Sequence, residues 1–273
     1  MSLKIGTCSW NYDSWAGLVY KSKAARSADY LKQYSELYST AEIDSWFYHI
    51  PAAEEVLEYK NNVGNGFSFT CKAPQTLTLT HLRKKENPAN LDFLSNEYFA
   101  LFANAISPLV PQIDAVMLQF EYLNKQKMPS LQEFCKKLNE FRHQIPLAIP
   151  IAAEIRNGNY IKEEYFQFLK ESGIIPVLVE KQYMPPVTQV FETFEEFIGE
   201  KVIFRLLGGD RREIEQITGD AWDTVVLPKQ STVEIAKLVK RISKGRQVIV
   251  NVNNHFEGSA PHSINTMLKI IED

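Results

Sequence analysis

The sequence predicts a single closed (β/α)8 TIM barrel with parallel strands, spanning residues 1–273 as one domain. Three observations lead there. Short apolar, β-branched segments alternate with longer segments of helical period, which is the pattern of a parallel sheet with crossover helices. There are eight such units, and a length of 273 residues is normal for one α/β barrel. No Pro/Gly/Ser linker, composition break or low-complexity tract divides the chain. An open doubly wound sheet shares the alternation, because periodicity alone does not show closure.

The expected strands are Leu3 to Ser9, Tyr38 to Asp44, Phe67 to Lys72, Ala115 to Phe120, Leu147 to Arg156, Ile175 to Glu180, Val202 to Leu206 and Gln247 to Asn253. The last is introduced by Gln247-Val248-Ile249-Val250, a run that reads as buried on both faces. Ser130-x-x-Glu133, Thr193-x-x-Glu196 and Ser231-x-x-Glu234 fit capping boxes ahead of helices. In the first of these helices Leu131, Phe134, Cys135, Leu138 and Phe141 share a face, so Cys135 reads as a core residue. The longest connection, Ala73 to Asp114, holds a charged run at Arg83-Lys84-Lys85-Glu86 that reads as solvated surface. A helix is expected from about Pro88 to Ile106, and a final one from Ser263 to Glu272.

A hydrophobic fraction of 45% beside 23% charged residues describes a soluble globular protein. A net charge of −3 argues against a strongly electrostatic nucleic-acid binder. Three widely spaced cysteines without a C-x-x-C pattern argue against a disulfide framework or structural zinc, and point to a reducing, cytoplasmic setting. The first residues enter a strand pattern at once, leaving no room for a signal peptide, and no apolar run reaches the ~20 residues of a membrane span. No cofactor and no metal is expected, and the partner is a small, anionic molecule.

Barrel chemistry sits at the C-terminal strand ends. Those ends carry Trp10, Glu42 with Asp44, Lys72, Gln119 with Glu121, Glu154 with Arg156, Glu180, Arg205, and the stretch Asn251 to His262. Period-2 alternation puts Glu42 with Asp44, and Glu154 with Arg156, on common faces. Charged groups inside a barrel are costly unless they are paired or used. The expected catalytic residues are Glu42, Glu154 and His255; the expected substrate-binding residues are Trp10, Tyr48, Lys72, Arg156, Arg205, Asn253 and Asn254.

Six ordered motifs carry a resemblance. They are Ile5-Gly6-Thr7-Cys8-Ser9-Trp10, Trp15 with Gly17 and Tyr20, Ala41 to Tyr48, Phe67 to Pro74, Ala153-Glu154-Ile155-Arg156, and Asn253 to Pro261. Together they make the chain similar to the domain of unknown function 72, or YecE-like, family over essentially its whole length. The resemblance implies a TIM barrel and supports the closed form; it brings no established reaction. The family usually has Ser-Gly where Cys8-Ser9 stand, and Asn and Thr at Asp44 and Trp46. It often has His-Pro-Ser-Trp at Asn157 to Tyr160, and a His at Leu207. Without those histidines, His255 is the main candidate left for acid–base work.

Three chemistries fit the residues. The first is an enzyme acting on a small anionic, phosphorylated or carbohydrate-like substrate. Lys72, Arg156 and Arg205 would grip the anion, Glu42 and Glu154 would serve as acid/base groups, and Gly208-Gly209 and the helix start at Ser259 would occupy the usual phosphate position of barrels. The second is a divalent-metal isomerase or hydrolase using Glu42, Glu154, Glu180 and His255 as hard ligands. The third is a binding module for sugars or single-stranded nucleic acid, with Trp10, Tyr12, Trp15, Trp46, Phe47 and Tyr48 as stacking surfaces.

Overall fold

A computed structural model describes residues 3–273 of the chain. Eight strands alternate with helices: β1 Leu3–Cys8, β2 Thr40–Ile43, β3 Ser68–Lys72, β4 Ile113–Gln119, β5 Ile151–Glu154, β6 Ile175–Lys181, β7 Lys201–Gly208 and β8 Gln247–Val252. The helices are α1 Ser27–Leu37, α2 Ala53–Asn61, α3 Asn96–Ile106, α4 Leu131–Gln144, α5 Glu163–Glu171, α6 Val187–Phe194, α7 Arg211–Thr218, α8 Gln230–Ile242 and α9 Ala260–Glu272. All strand pairs are parallel, and β1 pairs with β8 from Leu3↔Val248 to Thr7↔Val252, which closes the barrel. The closed form, not the open sheet, is therefore the architecture. Among the described residues, no helix is long and apolar enough to cross a membrane.

Strand alternation divides the side chains into two sets. One set, such as Val202, Phe204, Val248 and Val250, packs outward against the helices in the main core. The other points into the barrel, where Ala115, Met117, Ala152, Val177, Val179, Ile203 and Ile249 form a small apolar plug. Below the plug, Lys4 Nζ donates to Asp114 Oδ2 (2.8 Å) and Lys201 Nζ to the Asp114 carbonyl (3.0 Å), closing the N-terminal end. Above it the inward rows turn polar. That polar layer is the floor of the C-terminal mouth.

Several elements differ from the sequence expectation. β5 begins at Ile151, not Leu147, because Pro146 and Pro150 have no N–H to offer the ladder; only the Pro150 carbonyl joins it, accepting from Val116 N (2.8 Å). α3 begins at Asn96, with the Ser95 hydroxyl capping Tyr98 N (3.1 Å). The segment before it is a chain of turns held by Asn90, whose Nδ2 donates to the Thr76 and Leu79 carbonyls, both at 2.7 Å. Of the three expected capping boxes only Ser130 caps a helix, accepting from Glu133 N at 3.1 Å. Thr193 lies inside α6 and Ser231 inside α8. The first turn of α8 is instead anchored by Glu257 Oε1, which accepts from Lys229 N and Thr232 Oγ1, both at 2.7 Å. Cys135 packs against the core as expected.

Candidate functional site

The polar layer is centred on Arg205, which projects inward from β7 and is fully buried. Its Nε donates to Glu42 Oε2 at 2.7 Å and its Nη2 to Glu42 Oε1 at 2.6 Å, a two-pronged grip on the β2 carboxylate. Its Nη1 donates to Glu154 Oε2 from β5 and to Gln119 Oε1 from β4 (3.1 Å). Barrel closure thus brings side chains from three other strands onto the β7 guanidinium. Lys72 Nζ lies 3.5 Å from Glu42 Oε1, and Arg156 Nη2 lies 2.5 Å from Glu154 Oε1. Asn251 of β8 completes the ring, its Nδ2 donating to Thr70 Oγ1 (2.8 Å) and Glu42 Oε2 (3.3 Å).

The electrostatics follow from this packing. Burial pushes the Glu42 carboxyl up, but Arg205 and Lys72 outweigh it and hold the group below its ordinary value. Glu154 behaves in the same way, with Arg156 and Arg205 overcoming its burial. Arg205 is driven well above its usual value, because Glu154 and Glu42 more than offset desolvation. Asp44 moves the other way: burial raises its pKa, against the pull of Lys72. Glu42 and Glu154 are therefore ionised, fully buried and bound to Arg205.

A cavity of about 590 Å3 opens above this layer. Arg156, Lys181, Gln119 and Glu121 supply its polar wall, with Phe47, Phe120, Tyr122 and Tyr183 as its aromatic surfaces and Arg83 at its edge. Glu121 is committed within the wall, accepting from Thr80 Oγ1 (3.0 Å) and ion-paired with Lys127. Lys72 lies behind Phe47, its ammonium 5.5 Å from the ring centroid. Of the cations expected to converge on a ligand, Arg156 lines the cavity, whereas Lys72 and Arg205 form its support.

Other expected site residues lie elsewhere. Trp10 is buried, donates from Nε1 to the Ser27 carbonyl (3.1 Å) and packs edge-on against Tyr59 at 5.1 Å. Ser9, before it, has φ +62°, and this left-handed residue follows directly on β1. Trp15 and Trp46 are also core residues. Tyr48 stands exposed, edge-on to Phe47 (5.4 Å). Glu180 accepts from Val187 N (3.0 Å), at the start of α6, and so turns away from the mouth. Among the described residues, no group of three or more His, Cys, Asp and Glu side chains is placed to hold a metal ion.

The stretch after β8 is used mostly for construction. The strand stops at Val252, and Asn254–Phe256 forms a 3-10 turn, so simple alternation fails there. Asn253 Oδ1 accepts from His255 N (2.9 Å), and buried Asn254 Oδ1 accepts from Ala260 N (2.9 Å) at the start of α9. The amide at that helix start is thereby filled by the chain itself. His255 Nδ1 lies 2.5 Å from Asn253 Oδ1 and Nε2 lies 3.1 Å from Glu215 Oε1, with Trp222 against the ring at 4.7 Å. Burial lowers the His255 pKa, and Glu215 of α7 opposes that shift. Gly208 has φ +82°, and a Cβ there would sit 2.2 Å from the His255 carbonyl oxygen, so both the backbone and the close approach require glycine. The glycine lets β8's loop cross β7, a packing role.

Sequence reasoning stopped one residue short of Lys181. The available signal was alternation: Val177 and Val179 point into the barrel, and the next inward position is Lys181. Arg83, in a charged run expected at the solvated surface, lines the mouth instead, and nothing local in the sequence shows that its loop reaches there.

Fold and site together define a (β/α)8 barrel whose C-terminal mouth is a partly cationic, aromatic-walled cavity over a buried Arg–carboxylate layer. The family model described as "Protein of unknown function DUF72" matches residues 4–273, and the chain belongs to that family. A search of curated proteins found no match. Among solved structures, a DUF72 family protein from Thermotoga maritima is similar at 21% identity, with 100% of both chains covered and a TM-score of 0.72. A DUF72 family protein from Enterococcus faecalis is similar at 20% identity, covering 99% of this chain and 96% of its own, also with a TM-score of 0.72. At these identities the likeness concerns the fold.

Proposed function

We propose that the mouth cavity binds a small anionic ligand, a carboxylate or a phosphorylated or carbohydrate-like compound, and that the protein is an enzyme acting on it. One observation carries this reading. Glu42 and Glu154 are both held by Arg205, whereas Arg156 meets Glu154 through Nη2 and also lines the cavity. Four cations, Lys72, Arg156, Lys181 and Arg205, meet three carboxylates, Glu42, Asp44 and Glu154, in this layer. A guanidinium is suited to a bidentate grip on carboxylate or phosphate. Gln119 and the aromatic wall would orient the rest of the ligand.

This reading gives Glu42 and Glu154 a different task from proton transfer. Their low pKa suits neither an acid nor a strong base, and both carboxylates are already engaged. They are positioning residues that fix Arg205 and, through it, the floor of the cavity. The metal reading finds no support in the donor set, since Glu180 and His255 face away from Glu42 and Glu154. Three of the six aromatic residues that a nucleic-acid module would use for stacking, Trp10, Trp15 and Trp46, are buried.

A thermal melt tests the proposal. If phosphate binds with a Kd of about 1 mM, 10 mM ligand stabilises the fold by about 1.4 kcal/mol. For a chain of this length the midpoint would rise by about 2–3 °C. Arg156→Met should keep the fold, because Glu154 retains Arg205, and should lose that shift. An unchanged shift in Arg156→Met, or none in the parent with phosphate, citrate or sugar phosphates, would sink the anion-site reading.

A further inference from the structure

Among the described residues, Lys181 is the one cation on the inward strand rows without an ion pair; Arg83, which also lines the cavity, comes from a loop. Lys72 has Glu42 at 3.5 Å, and Arg156 has Glu154 at 2.5 Å. Elsewhere in the barrel Lys4 has Asp114 at 2.8 Å, and Lys127 is paired with Glu121. The Lys181 side chain ends β6 on the inward row of Val177 and Val179 and lines the cavity beside Arg156. Its charged surroundings include Arg156 and Arg205 on one side of the balance and Glu154 and Asp210 on the other. Burial and neighbouring guanidinium groups both shift a lysine amine toward its neutral, nucleophilic form. Burial is the larger cause of its lowered pKa, and Arg156 adds to it.

We propose that Lys181 is a nucleophilic amine that forms an imine with a carbonyl group on the anionic ligand held at Arg156. The ligand class is a carbonyl compound bearing a carboxylate or a phosphate. The proposal rests on the anion-site reading for the ligand's orientation, but not for the reactivity of the amine. The neutral Nζ attacks the carbonyl carbon, forming a C–N bond as the C=O π pair moves to oxygen. That oxygen takes a proton and nitrogen loses one, giving a carbinolamine. The nitrogen lone pair then forms C=N, and the hydroxyl leaves as water after taking a second proton, which the imine nitrogen gives up. Amine plus carbonyl yields imine plus water, and no oxidant or reductant is required. Phe47, Phe120 and Tyr122 give the reacting carbon an aromatic wall.

Two labelling experiments on the full chain test this, both read lysine by lysine by peptide mass spectrometry. In the first, trace acetic anhydride at pH 7 reports amine reactivity alone. Lys181 should acetylate on the order of tenfold faster than Lys201, which is also half-buried with a lowered pKa but bonds Asp114 at the opposite end of the barrel. Equal rates would overturn the proposal. In the second, pyruvate or glyceraldehyde 3-phosphate is added with cyanoborohydride, which reduces any imine to a stable adduct. An adduct concentrated at Lys181 and suppressed by inorganic phosphate supports it; adducts spread over lysines in proportion to exposure overturn it. The two probes separate a carboxylate-bearing ligand from a phosphorylated one. Lys181→Arg keeps the charge and should remove the adduct with an unchanged melting curve; persistence of the same adduct yield would also overturn the assignment. If Lys181 traps pyruvate while phosphate neither stabilises the protein nor competes, the amine assignment stands and the anion site falls.

Discussion

Replacing Arg205 with Met tests the buried layer most severely. The side chain is fully buried, and its removal takes the guanidinium from two buried carboxylates, leaving Glu42 with Lys72 at 3.5 Å and Glu154 with Arg156. Breaking a buried ion pair by removing one partner costs about 3–5 kcal/mol. With an unfolding entropy of about 2.1 cal/mol/K per residue, the midpoint of this 273-residue chain should fall by about 5–9 °C. The pH dependence gives a second, independent sign. In the parent, the depressed pKa values of Glu42 and Glu154 contribute stability that is present above the ordinary glutamate pKa and is lost as pH falls through the folded values. Arg205→Met removes the main charge opposing the burial of Glu42 and the second one opposing that of Glu154, so both carboxyl pKa values rise and part of the penalty is relieved as pH falls. The stability gap between parent and variant should therefore narrow from pH 8 to pH 5 in urea unfolding. A loss below about 1 kcal/mol, or a gap independent of pH, would refute the reasoning.

Three further outcomes follow from particular residues. Gly208→Ala forces a left-handed residue and a 2.2 Å clash with the His255 carbonyl, so it should destabilise by about 1–3 kcal/mol in the same assay. Ser9→Gly should be neutral or stabilising by up to about 1 kcal/mol, because φ +62° costs a side-chain-bearing residue more than it costs glycine; clear destabilisation would mean that the Ser9 hydroxyl bond to Asn11 matters more. His255 has a lowered pKa, so its contribution is present above its unfolded value and is lost as pH falls through the folded one. Parent protein should lose stability relative to His255→Gln between pH 7 and pH 5, and parallel curves would contradict this.

Much of the fold was legible because barrel strands are short, buried and separated by helical period, and each of the eight expected strands overlaps an observed one. The errors have local causes. Pro146 and Pro150 delayed β5, and side chains distant in sequence, such as Glu257, took over capping work that local motifs suggested for Ser231. At the site, strand ends identified Glu42, Glu154, Arg156 and Arg205 as neighbours. Their arrangement was not legible, since which strand faces which across the mouth depends on register and closure. Arg205 could thus be named as a cation from sequence, but not as the partner of both carboxylates. Asn253, Asn254 and His255 are expected at the site from the dense polar stretch after the last strand; a 3-10 turn follows Val252 there, and its side chains are used for construction. Lys181 was missed for the opposite reason, an expected strand ending one residue too early at Glu180.

Arg156 is proposed to present an anion site in the mouth. Its most direct test is a crystal soaked in selenate and measured at the selenium edge. An anomalous peak is expected within hydrogen-bond distance of the Arg156 guanidinium, inside the cavity bounded by Phe47, Gln119 and Lys181. Selenate found only at surface lysines, with none beside Arg156, would contradict it.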